Sequence, residues 1–132
     1  MFELIEVCRS IFLLSIGAIF GSWARMHLTS SFALIFSSKY WATCSVNIAS
    51  AFFLGLFLSF QSHSGLNFSD NNSLSIFVCV GFLGSLSTFS TFIIDLLNIL
   101  LNQRWKQFLS LSLCSLFGGL IAAFVGLSLG NA

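Results

Sequence analysis

Polar residues divide this chain into four apolar runs, about 8–27, 40–61, 74–101 and 106–129, and each is long enough to cross a bilayer. A spanning helix needs roughly 20 mostly apolar residues. In hydrocarbon every peptide group must be satisfied inside its own segment, so runs of this length fold as helices. The expectation is one all-α domain over residues 1–132, with four transmembrane helices. With 57% of its residues hydrophobic and only 7% charged, a soluble globule of this size has too little interior to bury them.

The first run is read as a helix and not as a cleaved leader. Glu3 and Glu6 precede it instead of a basic cluster, and no small-residue cleavage site is followed by a soluble domain. Gln61 to Ser73 (QSHSGLNFSDNNS) is the most turn-rich connection and is expected to be the most mobile. It holds two acceptor-type triplets, Asn67-Phe68-Ser69 and Asn71-Asn72-Ser73, which need a lumenal context that nothing else in the chain supplies. Cys8, Cys44, Cys79 and Cys114 fall one to each run without metal or redox spacing, and are expected to be small buried hydrophobes. A net charge of +1 with no basic patch gives no reason to expect nucleic acid. Without a nucleophile and base, a metal-ligand cluster or a nucleotide loop, an enzyme is not expected.

Four spans enclose little once their side chains are packed, so a second copy or a paralogue is expected as partner, with lipid around both. Gly17, Gly21 and Arg25 recur every four residues and form a small-residue groove ending in a guanidinium. Asn47 in the second run needs partners for its amide or a wet face.

The third run is the unusual one. Its middle, Gly81 to Asp95 (GFLGSLSTFSTFIID), packs Gly, Ser, Thr and Phe where plain Leu and Ile would serve a lipid-facing helix. At 28 residues, from 74 to 101, the run exceeds a straight crossing, and an interrupted helix would use the surplus. Unwinding there frees carbonyls for a hard cation such as sodium and exposes half-helix ends. Phe89 and Phe92 are neighbours on one face, and electropositive ring edges aimed into a narrow path favour an anion without adding full charge. Asp95 continues that face; a carboxylate in a span costs roughly 2.5 to 3.5 kcal/mol and should point inward, unless it pairs with Arg104 or Lys106 near the interface. In the fourth run Ser112 and Ser115 share a face and could offer hydroxyls beside Asn47.

In this order the segments Gly17 to Arg25 (GAIFGSWAR), Val46-Asn47, Gly81 to Phe92 (GFLGSLSTFSTF) and Ser115 to Ala122 resemble the Fluc, or CrcB, fluoride channels over nearly the whole chain. The third-run motif is the specific part. The resemblance implies a four-helix subunit with a broken third helix. It pairs antiparallel with a second copy around a central structural sodium, leaving two fluoride pathways. It carries the sodium carbonyls onto Gly84 and Ser87, the pore phenylalanines onto Phe89 and Phe92, the pore asparagine onto Asn47, the helix-four serine onto Ser115 and the vestibule arginine onto Arg25. Asp95 stands where many members have Glu. Ser85 and Ser87 replace Gly and Thr, which main-chain ligation tolerates, and Leu111 stands where some members carry a pore tyrosine.

The function so implied is passive export of fluoride across a bacterial plasma (inner) membrane, which lowers fluoride toxicity. Donors from Asn47, Thr91 and Ser115, with the two ring edges, replace lost water. Two alternatives are a small proton-coupled multidrug exporter, which needs a carboxylate inside the first helix, and a non-transporting scaffold. On the side of the first and third connections lie Arg25, Lys39, Arg104 and Lys106, against Arg9 on the other. Basic residues favour the cytoplasm, so both termini are expected outside. A bias of that size leans toward one half of an opposed heterodimer.

Overall fold

The structure is a computed structural model and describes residues 1–36, 38–63 and 73–130. Among these residues the regular elements are all helices, and four segments are long and apolar enough to cross a membrane. They are Phe2–Ile35, Lys39–Ser62, Ile76–Leu101 and Trp105–Gly130. The turn-rich connection and its two acceptor triplets lie outside the described residues, save Gln61, Ser62, His63 and Ser73.

The first helix, Phe2–Ile35, overruns the expected 8–27 at both ends. Its polar ends hold helical hydrogen bonds as well as apolar residues do. Arg9 pairs with Glu6 at 2.7 Å, and the Ser30 hydroxyl bonds back to the Met26 carbonyl. Thirty-four residues at about 1.5 Å each span roughly 51 Å, beyond a hydrocarbon core of about 30 Å. The second helix, Lys39–His63, and the fourth, Trp105–Gly130, fall within two residues of expectation.

The third crossing begins with one turn, Ser73–Ser75, then widens into a π-helix over Ile76–Leu83 and closes with Gly84–Leu86. Gly84 N–H reaches back to the Cys79 carbonyl, five residues earlier, as well as to Gly81. Wide turns of this length are rare and concentrate at functional sites. Ser87 and Thr88 are extended, with ψ of 136° and 124°, and Phe89–Leu101 forms a separate helix beyond them.

Glycine decides which helices pair. A methyl group on Gly17 would meet the Gly81 backbone, and one on Gly21 would meet the Phe82 carbonyl and Ser85 Oγ. Ascending numbers therefore meet ascending numbers, so the first helix and the third crossing run parallel, backbone on backbone. The second and fourth helices are matched the same way: Gly55 lies on Ala123, and Gly126 lies on Phe52 and Leu56.

Tyr40 and Trp41 pack with Phe108 against a core of Cys44, Leu96, Ile99 and Leu111. That brings the first and third connections to one end. The third connection is tight because Gln103 takes a left-handed conformation (φ 56°), with Gln103 N–H on Leu100 O at 2.9 Å and Arg104 N–H on Ile99 O at 3.2 Å. This is the Schellman closure, made without the usual glycine. Leu111 is wholly buried in that core. Cys44 and Cys79 are buried as expected, whereas Cys8 and Cys114 are exposed.

Candidate functional site

Asn47 binds both main-chain groups of one residue in the opposite crossing. Thr88 N–H donates to Asn47 Oδ1 at 3.1 Å, and Asn47 Nδ2 donates to the Thr88 carbonyl at 3.4 Å. In a continuous helix the Thr88 N–H would go to the Gly84 carbonyl, four residues earlier. The amide of Asn47 intercepts it, which holds Ser87 and Thr88 extended and leaves the Gly84 oxygen without that donor. Beyond the interruption the first N–H groups of Phe89–Leu101 have no intrahelical partner, and they form a positively polarised end.

Two cavities meet at this clasp, and Asn47 and Thr88 line both. On one side is a vestibule of about 360 Å³ whose walls carry Arg25, Lys39 and the hydroxyl residues Ser22, Thr29, Ser30, Thr43 and Thr91. Arg25 is half-buried, and its Nη1 lies 3.4 Å from the Ser85 carbonyl, one turn before the interruption. The second cation, Lys39, faces the same space with no acid among the residues lining it. Three of the hydroxyls are occupied: Ser22 donates to Ile19 O, Ser30 to Met26 O and Thr43 to Lys39 O. The vestibule therefore attracts anions chiefly through its two cations.

On the other side is an open groove of about 550 Å³, lined by Ser87, Thr88, Phe89, Phe92, Ser112, Ser115 and Gly119 among others. Phe92 rests on the core of Cys44, Leu96, Ile99 and Leu111, while Phe89 stands out 76% exposed. The Ser112 hydroxyl is buried and has no partner within the described residues. It and the second amide hydrogen of Asn47 are donors available to a bound anion.

The expected site residues thus divide. Asn47, Phe89, Phe92 and Ser115 come together in the groove; Arg25 and Thr91 face the vestibule instead. Asp95 lines neither cavity. It is buried, 4% exposed, and its Oδ2 has no partner among the described residues, so no ion pair to Arg104 or Lys106 holds it there. Gly84 and Ser87 are both exposed on this subunit, on either side of the last turn before the interruption. Ser112 stands in the groove wall with Ser115, the pairing that their spacing suggested, whereas Thr88 and Lys39 were not placed in the site from the sequence. Thr88 carried a usable signal, since it lies in the polar middle of the third run, but its partnership with Asn47 spans 41 positions.

Four crossings, a vestibule with two cations and a groove of aromatic and hydroxyl side chains define a multi-pass membrane protein with two cavities meeting at the interruption of its third crossing. The family model described as "CrcB-like protein, Camphor Resistance (CrcB)" matches residues 12–127. The chain belongs to that family.

Among its relatives, "Fluoride-specific ion channel FluC 1" of Prochlorococcus marinus (strain MIT 9313) is 40% identical over 119 residues, 90% of each chain. The protein of the same name from Synechococcus sp. (strain CC9902) is 44% identical over 89% of this chain and 90% of its own. "Fluoride-specific ion channel FluC" of Acinetobacter baumannii (strain AYE) is 30% identical over 87% of this chain and 88% of its own.

Proposed function

We propose that this protein is a passive, fluoride-selective channel that exports cytoplasmic fluoride. The observation that carries the reading is the Asn47–Thr88 clasp, which keeps the third crossing interrupted where a cationic vestibule meets a groove of phenylalanine and serine. The names of the relatives support fluoride as the ion.

Fluoride is small and strongly hydrated, so a selective path must supply donors in place of water. Arg25 and Lys39 concentrate anions at the mouth, and Thr91 lies on the way in. Beyond the clasp, the second amide hydrogen of Asn47, the hydroxyls of Ser112 and Ser115, and the ring edges of Phe89 and Phe92 take over as ligands. No proton relay is required. Asp95, on the same helix as the phenylalanines, is buried and lines neither cavity, so the path is drawn without it.

The groove is open along its length, and a second subunit is needed to wall it. The arrangement proposed is an antiparallel pair, formed with a second copy or with a paralogue inserted the other way, in a bacterial inner membrane. A broken helix from each subunit then meets at the centre. The Gly84 carbonyl, freed by Asn47, and the Ser87 carbonyl are hard oxygen donors of the kind sodium takes. Two such pairs would supply four neutral ligands, and a sodium ion held there would add positive charge at the centre of the assembly.

The test is fluoride efflux from liposomes containing the purified protein, read with a fluoride electrode. Phe92→Ile should abolish efflux while leaving the dimer assembled. Unchanged flux removes the aromatic track; efflux absent from the unmodified protein removes the channel and favours a multidrug exporter or a scaffold.

A further inference from the structure

Helices two and four bring two thiols together beside the groove. The register between these helices is fixed by close contacts at three levels. Ile48 lies against Gly118, Gly55 against Ala123, and Phe52 and Leu56 against Gly126. Cys44 is one helical turn before Ile48, and Cys114 is one turn before Gly118, so a parallel pair in this register sets the two cysteines at the same height. The Cys44 side chain packs on Leu111, one turn ahead of Cys114 and Ser115. In this register the Cys44 thiol is a close neighbour of both the Cys114 thiol and the Ser115 hydroxyl. Both cysteines are free.

From this juxtaposition we infer that Cys44 and Cys114 form a bidentate site for a soft cation that prefers two sulfur ligands, with mercuric ion as the probe. The chemistry selects the metal. A hard ion needs many oxygens, and zinc needs four ligands. Among the described residues no group of three or more His, Cys, Asp or Glu converges anywhere. A divalent ion held by two thiolates is electrically neutral, so it does not incur the cost of an uncompensated charge in a membrane interior. The exchange balances: mercuric chloride and two thiols give one S–Hg–S bridge, two protons and two chloride ions. Two S–H and two Hg–Cl bonds break as two Hg–S bonds form.

The bridge has a consequence for transport that rests on the fluoride reading. Ser115 lines the groove next to the Cys44 sulfur, so a metal on that sulfur crowds the hydroxyl and turns it from its place in the groove wall. Occupancy should inhibit efflux.

The decisive experiment uses the full-length protein in liposomes, with Cys8 and Cys79 replaced by Ala, titrated with mercuric chloride. Intact mass should increase by one mercury less two hydrogens per chain. The exposed Cys114 should lose its reactivity toward a maleimide at one equivalent. Cys114→Ser, at an exposed position, should still bind mercury but release it to competing glutathione at a concentration about 100-fold lower, since the second ligand acts at high effective concentration. Two mercury atoms per chain, or a Cys114 still fully reactive at one equivalent, would overturn the site. One bridging mercury with undiminished efflux keeps the site and instead removes Ser115 from the fluoride path.

Discussion

Replacing Asn47 by Leu tests the clasp directly. The change removes two hydrogen bonds to one peptide unit, at 3.1 and 3.4 Å. Leaving a buried peptide group unpaired costs about 1 to 3 kcal/mol. The N–H bond is the better formed and Thr88 is half-buried, so that group carries most of the loss. The carbonyl bond is long and borders two cavities, so water can substitute for it. A total of about 2 kcal/mol follows. Thr88 can recover a partner only by donating to the Gly84 carbonyl, which rewinds the interruption and turns Phe89 and Phe92 through a different angle. At 1.4 kcal/mol per tenfold, the open arrangement loses roughly 30-fold in relative population. Fluoride efflux from liposomes should fall by about that factor in Asn47→Leu, while the chain still inserts and pairs. Amide exchange at Thr88 gives a second readout, because a rewound helix and an unpaired amide protect that proton differently. Wild-type efflux with wild-type exchange at Thr88 would refute the clasp as the cause of the interruption.

Further outcomes follow from other contacts. Gly21→Ala drives a methyl group into the Phe82 carbonyl and Ser85 Oγ and should destabilise the protein by about 1 to 3 kcal/mol in thermal melts, whereas Gly119→Ala, which meets nothing within 4 Å, should leave stability unchanged. Lys39→Ala should lower efflux at low ionic strength and converge on wild type as salt approaches 1 M, where the Debye length falls to about 3 Å; a salt-independent deficit would argue for a contact role instead. Gln103→Gly relieves a left-handed conformation that costs a residue with a Cβ about 1 to 2 kcal/mol, so after the added chain entropy of glycine it should raise stability by about 0.5 to 1 kcal/mol in the same melts. A reporter fused to the C-terminus should sit predominantly outside if the lysine and arginine bias governs insertion, and equal inside and outside populations would remove the case for a fixed orientation.

The four crossings were legible because hydrocarbon leaves a chain of this composition only one option, and their apolar runs are bounded by polar clusters. Their ends were less legible: the first helix continues through Glu3, Glu6 and the serines near its far end, because polarity marks where lipid stops and not where hydrogen bonding stops. The interrupted stretch was marked by residue type, yet its immediate cause, Asn47 on Thr88, could not be read from spacing. The π-helical turns over Ile76–Leu83 left no mark at all, since IFVCVGFL is as apolar as any span. Splitting the candidate residues between two cavities also needed coordinates: Thr91 is adjacent to Phe92 in sequence but looks the other way around the helix. The exposed Cys114 shows the limit of composition, because a helix in lipid has an outside on which small apolar residues are equally at home.

The glycine seams join the first crossing to the third and the second to the fourth, so each seam skips a segment. A chain leaving the ribosome cannot zip either contact until the intervening crossing has been threaded. The notch at Gly17 and Gly21 must therefore wait, open to lipid, until the polar third segment arrives. Assembly is consequently back-loaded, and a product shortened before residue 73 would hold a groove cut for a neighbour that never comes.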